Sequence, residues 1–215
     1  MHRTAMTDVH LATDGSVSHN GSYAGAGYAV RRVGQGVHDP DTGGAWRFPR
    51  AWELPISSPL QPVLWSVHPW NPVYTPVLVE LTAIALGLKL LRGCIIADSL
   101  VLSQVFIWTD CLTACELAQV PPDREDDAPW PHLVRMARLA YSERRELMSL
   151  GIEVRVAVPD RGRDSRLVHQ ADALARKIRW NNLPSWMWKE LPDDVTLVLG
   201  QCAFIAGTLD EAQRI

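Results

Sequence analysis

The sequence lacks several features that would set it apart from ordinary globular proteins of the cell interior. None of its apolar runs is long enough to cross a bilayer, and the N-terminus has no apolar signal-peptide core. The four cysteines form no C-x-x-C pair, which argues against a zinc site or a disulfide framework. The formal net charge of −3 leaves no general excess of basic charge. We therefore expect an intracellular protein (cytoplasm or nucleus) with reduced thiols and no membrane partner, in which nucleic-acid binding needs a local patch.

The spacing of apolar residues predicts an α/β fold. Alternating apolar residues indicate strands, and apolar residues three and four apart indicate helices. The resulting order is typical of a mixed five-stranded sheet, with the first three strands antiparallel, later strands joined by parallel crossovers, and helices on both faces. The predicted strands are 9–16, 23–32, 51–57, 104–109 and 152–158, and the predicted helices are 77–92, 110–119, 131–150 and 167–179.

Turn-forming and proline-rich stretches suggest how the chain is divided. The expected parts are a loose leader (1–8), one domain (9–179) with a Pro/Trp-rich insertion at about 34–76, and a C-terminal extension (180–215). We expect residues 34–49 to form a loop because they are rich in Gly, Asp and Pro. Gly93 is expected to end the first long helix, and residues 195–199 look strand-like.

Tryptophan is abundant, with nine residues in the chain. Indole rings in the insertion and the C-terminal part could stack on bases or pack against each other or a protein partner. Packing is the default interpretation, because tryptophan mostly contributes buried area. The residues concerned are Trp46, Trp52, Trp65, Trp70, Trp180, Trp186 and Trp188.

Four carboxylates stand at the ends or starts of predicted elements. Asp14 and Asp110 each follow an apolar strand that ends in Thr-Asp, Glu80 opens the first long helix, and Asp172 lies in the last one. Each has an ordinary alternative role, as a turn residue, a helix-dipole partner or an N-cap. Brought together, however, the four would repel one another unless cations neutralised them. Oxygen ligands of this kind suit Mg²⁺ or Mn²⁺, and two such ions can drive phosphodiester cleavage.

The ordered set of motifs resembles the type 1 ribonuclease H family over residues 9–179, including the domains attached to reverse transcriptases. The resemblance implies that Asp14, Glu80, Asp110 and Asp172 are catalytic and hold two Mg²⁺ or Mn²⁺ ions. It also implies hydrolysis of the RNA strand of RNA–DNA hybrids, leaving a 3′-hydroxyl and a 5′-phosphate. The matching segments are Thr13-Asp14-Gly15-Ser16, Gly25-Ala26-Gly27-Tyr28-Ala29-Val30, Glu80-Leu81-Thr82-Ala83-Ile84-Ala85-Leu86, Ile107-Trp108-Thr109-Asp110 and Ala171-Asp172-Ala173-Leu174-Ala175.

The sequence also departs from that family. The loop before the last helix (159–166) has no histidine, so His169 is the remaining candidate for a catalytic histidine, with an ordinary helix-surface role as the alternative. Pro76 and Val77 replace the amide side chains that commonly touch the RNA 2′-hydroxyls. The remaining candidates for nucleic-acid binding, each with a structural alternative, are Ser16, Ser18, Asn20, Thr75, Arg161, Arg163 and Arg166.

Two hypotheses about function follow. The first is an active, metal-dependent endoribonuclease acting on hybrids. The second is a catalytically weak or inactive module on the same fold. Such a module would bind nucleic acid or a protein partner, for example a reverse transcriptase, through the Trp-rich segments.

Overall fold

A six-stranded mixed sheet organises the part of the chain that the structure describes. The structure is a computed structural model that describes residues 7–34, 41–50, 74–98, 102–121, 131–160, 162–180 and 203–208. The strands are β1 (Thr7–Val17), β2 (Ala24–Val33), β3 (Thr42–Arg47), β4 (Leu102–Trp108), β5 (Glu153–Ala157) and β6 (Ala203–Thr208). The helices are α1 (Pro76–Asp98), α2 (Leu112–Gln119), α3 (Pro131–Ser149) and α4 (Arg163–Trp180).

The strand order across the sheet is β5-β4-β1-β2-β3-β6. The first three strands are antiparallel neighbours, and β4 pairs in parallel with both β1 and β5. These five strands confirm the predicted mixed sheet with its antiparallel start and later crossovers. The C-terminal strand β6 adds a sixth strand, antiparallel to β3.

The two faces of strand β1 contact two different hydrophobic clusters, one on each side of the sheet. Val9 and Leu11 enter the main hydrophobic core, whereas Ala12 joins a second cluster on the opposite face. This alternation follows from the two-residue period of a strand. Asp14 therefore shares the Ala12 face of the sheet, and Gly15 shares the Leu11 face.

Helix α1 is packed between the sheet and helix α3. Its apolar residues are buried around most of the helix, including Leu78, Leu81, Ile84 and Leu88. Such all-round burial is expected for a helix in the middle of a layered domain. On this side of the sheet, α1 also contacts α2.

Helix α4 covers the opposite face, over β1, β2 and β3. Small residues allow a close approach, because a Cβ built on Gly27 would lie 2.0 Å from the carbonyl oxygen of Ala171. A Cβ on Gly25 would likewise lie 2.6 Å from the Ile178 side chain. The backbone of α4 thus rests directly on β2.

The glycine-rich segment 34–49 was expected to be a loop. This prediction is wrong for residues Thr42–Arg47, which form strand β3. Gly43 and Gly44 pair with Ala29 and Tyr28 of β2, and Trp46 is fully buried with its ring 4.8 Å from that of Tyr28. Packing next to a neighbouring strand has overridden the weak β propensity of glycine. The predicted strand 51–57 and the strand-like run 195–199 lie outside the described residues.

Other boundaries also moved. β1 begins at Thr7, so residues 7 and 8 of the expected leader belong to the sheet. Gly93 does not end α1, since Ile95 beyond it still packs in the core. Helix α4 begins at Arg163, directly after Gly162 with its positive φ of 135°, rather than at residue 167. Among the described residues, no helix has the length and apolarity needed to span a membrane.

Candidate metal centre

The parallel pair β1 and β4 delivers two carboxylates to one end of the sheet. Ala12 pairs with Trp108, so Asp14 and Asp110 both lie just beyond the last paired residues. Adjacent parallel strands present their carboxyl ends at the same edge, which explains why the two Thr-Asp sequences meet. Helix α2 begins at Leu112 with Cys111 as its N-cap. Asp110 is therefore not the N-cap, and this alternative role is excluded.

Asp14, Glu80 and Asp110 form the acidic cluster. One carboxylate oxygen from each residue lies within 4.8 Å of the others. Asp14 is 3% exposed and Glu80 is 6% exposed, whereas Asp110 faces solvent. The burial of Glu80 excludes the alternative of a surface residue that only favours the helix N-terminus.

Glu80 is held in the cluster by hydrogen bonds from both neighbouring strand ends. The backbone N–H of Gly15 donates to Glu80 Oε1 at 3.0 Å. The Thr109 hydroxyl donates a longer bond to Glu80 Oε2 at 3.4 Å, and its oxygen accepts the N–H of Cys111 at 3.2 Å. These contacts fix the carboxylate of α1 between β1 and β4.

The electrostatics of the acidic cluster are those of crowded carboxylates. Burial raises the pKa of Asp14 to about 9, with further increases from the charges of Glu80, Asp110 and Asp172. Burial likewise raises the pKa of Glu80 to about 7, although the Gly15 hydrogen bond opposes this increase. In the absence of a cation the pair therefore retains protons that ordinary carboxylates have lost at neutral pH.

The acidic cluster fits a divalent cation. Asp14 Oδ2 is buried and has no hydrogen-bond partner among the described residues. An unpartnered buried carboxylate oxygen is costly unless a proton or a cation satisfies it. Oxygen-only donors of this type suit Mg²⁺ or Mn²⁺ better than Zn²⁺.

Asp172 lies beside the acidic cluster but outside the group of three. Its Oδ1 accepts a bond from Arg176 Nε at 2.6 Å, one turn further along α4. Its charge still contributes to the raised pKa of Asp14, so the two carboxylates are electrostatically coupled. The close seating of α4 on Gly27, next to Ala171, places Asp172 on this side of the sheet.

The candidate residues that follow β1 are largely engaged within the protein. Ser16 Oγ accepts a bond from Arg179 at 2.8 Å, and Ser18 Oγ donates to Asn20 Oδ1 at 2.8 Å. Asn20 Oδ1 also accepts the N–H of Ser22 at 3.1 Å. The side chains of Ser18 and Asn20 thus close the β1–β2 turn. Thr75 precedes α1, and its buried Oγ1 has no partner among the described residues.

The remaining candidates lie at the start of α4. Arg163 and Arg166 are helical rather than in the loop where they were expected, and the side chain of Arg166 is exposed. His169 is also exposed on α4, one turn before Asp172. This is the helix-surface position that the sequence offered as the alternative to a catalytic role. Arg161 lies outside the described residues. The helix begins four residues earlier than predicted. The carboxylate of Asp164 in its first turn stabilises this start through the helix dipole.

Sequence reasoning missed the residues that support the carboxylates. Gly15 and Thr109 belong to the matching segments, but nothing in those segments indicates that both residues donate hydrogen bonds to Glu80. The repeated Thr-Asp sequence was the available signal for Thr109. Arg176 and Arg179, which contact Asp172 and Ser16, had no signal beyond their helical spacing from Asp172.

Comparisons with known proteins support the fold. No family model matches the chain, and no curated protein matches it. Among solved structures, LC9-RNase H1, a type 1 RNase H with the type 2 active-site motif, has a TM-score of 0.53 at 14% identity, covering 96% of this chain and 80% of that chain. LC11-RNase H1 in complex with an RNA/DNA hybrid has a TM-score of 0.50 at 15% identity, covering 79% and 94% respectively.

RNase H1 from Halobacterium salinarum is similar over 80% of this chain and 96% of its own, at 19% identity and a TM-score of 0.47. The two structures with TM-scores of 0.50 and 0.53 support the fold, and their low identities leave the activity to be argued from the site. The acidic cluster lies where the two parallel strands end and contains three of the four predicted ligands, Asp14, Glu80 and Asp110. The resemblance to type 1 ribonuclease H is thus confirmed in three dimensions, and the chain has the ribonuclease H-like fold.

Proposed function

We propose that the protein is a metal-dependent endoribonuclease that hydrolyses the RNA strand of RNA–DNA hybrids. The observation that carries this proposal is the acidic cluster of Asp14, Glu80 and Asp110, gathered within 4.8 Å. A fold would not bury Asp14 and Glu80 and crowd the three carboxylates together for stability alone, because their mutual repulsion costs free energy. A site that gains its neutralising charge from cations accounts for the arrangement.

The four carboxylates would hold two Mg²⁺ or Mn²⁺ ions, with Asp14 as the central ligand. Such ions activate a water molecule and stabilise the leaving oxygen of the phosphodiester. The protein contributes the placement of the ligands: Gly15 and Thr109 orient Glu80, and the seating of α4 brings Asp172 near Asp14. Asp172 would bind a cation while Arg176 competes for its carboxylate.

The choice of a hybrid as substrate rests on the fold and on the polar groups around the acidic cluster. LC11-RNase H1, which shares the fold, is described in complex with an RNA/DNA hybrid. Among the candidates whose side chains the structure describes, Thr75 and the exposed Arg166 remain for substrate contact, because Ser16 bonds to Arg179 and Ser18 and Asn20 bond to each other. Arg161 and Arg163 remain predictions. His169, exposed one turn from Asp172, is the candidate for assisting proton transfer during turnover.

A second candidate function is a weak or inactive module that binds nucleic acid or a protein partner, such as a reverse transcriptase. The observation that favours it is the internal use of the polar side chains that would otherwise read RNA, Ser18 and Asn20. Of the Trp residues that could serve such a partner, Trp46 is buried in the core.

A cleavage assay tests the proposal. A labelled RNA–DNA hybrid, duplex RNA and duplex DNA are each incubated with the protein and Mg²⁺ or Mn²⁺. We expect endonucleolytic cuts in the RNA strand of the hybrid alone. Glu80→Gln should abolish them, whereas Glu153→Gln, the same change on the exposed edge strand β5, should not. Cleavage that persists in Glu80→Gln, Asp14→Asn and Asp110→Asn would overturn the metal-site assignment. No cleavage by wild-type protein, with hybrid binding retained, would favour the second candidate.

A further inference from the structure

A polar junction away from the acidic cluster joins three of the elements that carry the predicted ligands. His10 lies on β1, Trp108 on β4 and Asp164 in the first turn of α4. His10 Nδ1 lies 3.1 Å from Asp164 Oδ1 and 3.2 Å from Trp108 Nε1. The His10 ring also packs against the ring of Phe106, with centroids 4.9 Å apart.

The two hydrogen bonds of this junction exclude each other. The indole Nε1 of Trp108 can only donate, and the ionised carboxylate of Asp164 can only accept. Both converge on the single Nδ1 atom of His10. A protonated His10 donates Nδ1–H to Asp164 and leaves the indole unpaired. A neutral ring either keeps its proton on Nδ1 and donates to Asp164, or carries it on Nε2 and accepts from Trp108 at Nδ1. Protonation therefore commits the junction to the Asp164 bond, and loss of the proton opens a competition between the two partners.

The junction lies at one end of α4, and a second attachment lies at the other. Arg179 Nη1 donates to Ser16 Oγ and to the carbonyl oxygen of Val17, at 2.8 and 2.5 Å. Between these two ends, the helix backbone is seated on Gly27. Asp172 lies between the two attachments and next to the seat on Gly27, so all three contacts together set its distance from Asp14.

Charged groups of both signs face His10 in the described part of the chain. Asp164 approaches from α4 and Asp8 shares the same face of β1, while Arg31 is the cross-strand neighbour on β2. Arg31 is itself paired with Asp41 at 2.7 Å, which offsets its repulsion of a charged His10. From β4, His10 meets the aromatic rings of Phe106 and Trp108. A protonated His10 thus has a carboxylate partner already in place.

We propose that His10 is a positioning residue whose charge state fastens or frees the first turn of α4 through Asp164, with Trp108 as the competing partner. A protonated His10 holds α4 to β1. A neutral His10 divides its bonding between Asp164 and Trp108 of β4 and so loosens the helix start. The consequence for Asp172 rests on the proposed function, but the fastening of α4 does not.

Hydrogen exchange of the metal-free full-length protein tests this inference without substrate. The amides of residues 167–170 bond to the first turn of α4, so their protection reports its attachment. After correction for intrinsic exchange, we expect their protection factors to fall several-fold as the pH rises, since a charge-assisted bond is weakened. The amides of residues 174–178 serve as the internal reference, because the Arg179 attachment does not depend on His10.

Three variants make the test specific. Asp164→Asn keeps the size of the side chain and removes its charge, so the protection should be low and nearly independent of pH. His10→Gln should lose the same pH dependence. Trp108→Phe keeps an aromatic ring and removes only the competing donor, and it should raise protection at pH 8. A structural role for the indole bond alone predicts the opposite change for Trp108→Phe.

The link to the metal site is measured separately, by Mn²⁺ titration calorimetry. Asp164→Asn should weaken Mn²⁺ binding several-fold at a fixed pH, because Asp172 is less well placed. An unchanged pH dependence of protection in Asp164→Asn, or reduced protection in Trp108→Phe at pH 8, would overturn the inference. If the protein cleaves hybrids but its amide protection does not depend on pH in this way, only this inference is refuted. If the protection depends on pH but no hybrid is cleaved, only the proposed function is refuted.

Discussion

Gly15 and Glu80 link the sheet directly to helix α1 at the acidic cluster. The backbone N–H of Gly15 donates to Glu80 Oε1 at 3.0 Å, and a Cβ built on Gly15 would lie 2.8 Å from the backbone nitrogen of Glu80. The absence of a side chain at residue 15 is therefore what allows α1 to bring its carboxylate against β1.

Replacing Gly15 with alanine should push α1 away from the end of β1. We expect Gly15→Ala to lower the free energy of unfolding by about 1–3 kcal/mol, as overpacking does, and to weaken Mn²⁺ binding. Gly93→Ala is the matched control, since a Cβ there meets nothing within 4 Å and alanine favours a helix by about 1 kcal/mol. Urea unfolding and Mn²⁺ titration of both variants check this. Equal effects of the two substitutions would contradict the close-approach argument.

Asp14→Asn should separate stability from activity. The substitution removes the group whose charge is most disfavoured in the acidic cluster, so the metal-free protein should gain about 1–3 kcal/mol of stability near pH 8. The same variant should lose hybrid cleavage, because the amide cannot replace a carboxylate ligand. Urea unfolding in the presence of a chelator is compared with the cleavage rate. A loss of stability would mean that the charge of Asp14 is neutralised within the protein.

Stability of the metal-free protein should fall as the pH rises. The pKa values of Asp14 and Glu80 are raised from 3.8 and 4.5 in the unfolded chain to about 9 and about 7 in the folded protein. Between these values the folded protein holds protons that the unfolded chain has released, so the free energy of unfolding decreases from about pH 4 to about pH 9. Thermal unfolding in a chelator at a series of pH values measures this slope. Mg²⁺ should reverse the fall, and Asp14→Asn should flatten it.

A buried group of ion pairs between α1 and α3 should contribute more to the stability of the protein than an exposed ion pair does. Glu143 is 6% exposed and binds Lys89 at 2.7 Å and Arg92 at 3.2 Å. Removing one member of such a group leaves buried charge uncompensated, so Glu143→Gln should cost about 3 kcal/mol of stability. Glu153→Gln breaks an exposed bond to Arg155 and should cost less than about 1 kcal/mol. Chemical denaturation decides between these values, and similar costs for both would refute the distinction.

Under the proposed function, Arg176 would compete with cations for Asp172, to which it is paired. The pair is exposed on the Arg176 side, so its loss should change the fold little and release the carboxylate. We expect Arg176→Gln to tighten Mn²⁺ binding about twofold, in line with the small free energy of helical ion pairs. Arg155→Gln, which removes a similarly exposed arginine on β5, should leave Mn²⁺ binding unchanged. Weaker binding in Arg176→Gln would show that Arg176 orients Asp172 toward the site.

The sequence determined the order and type of most elements and the identity of the clustered carboxylates. Alternation along β1 and the repeated Thr-Asp ending placed Asp14 and Asp110 at strand ends, and parallel pairing of β1 with β4 then brings them together. Helical spacing after Pro76 placed Glu80 on α1. These are local patterns with a strong period, which is why they can be read without a structure.

Only the tertiary structure decided the features that depend on contacts between distant segments. Gly43 and Gly44 have little strand propensity, and β3 exists because it pairs with β2 and lies beneath α4. The engagement of Ser18 with Asn20, of Asp172 with Arg176 and of His10 with Asp164 is set by side-chain geometry. Hydrogen bonds and close approaches of a few ångströms have no periodic signature in a sequence. The folded arrangement alone assigned these side chains their partners.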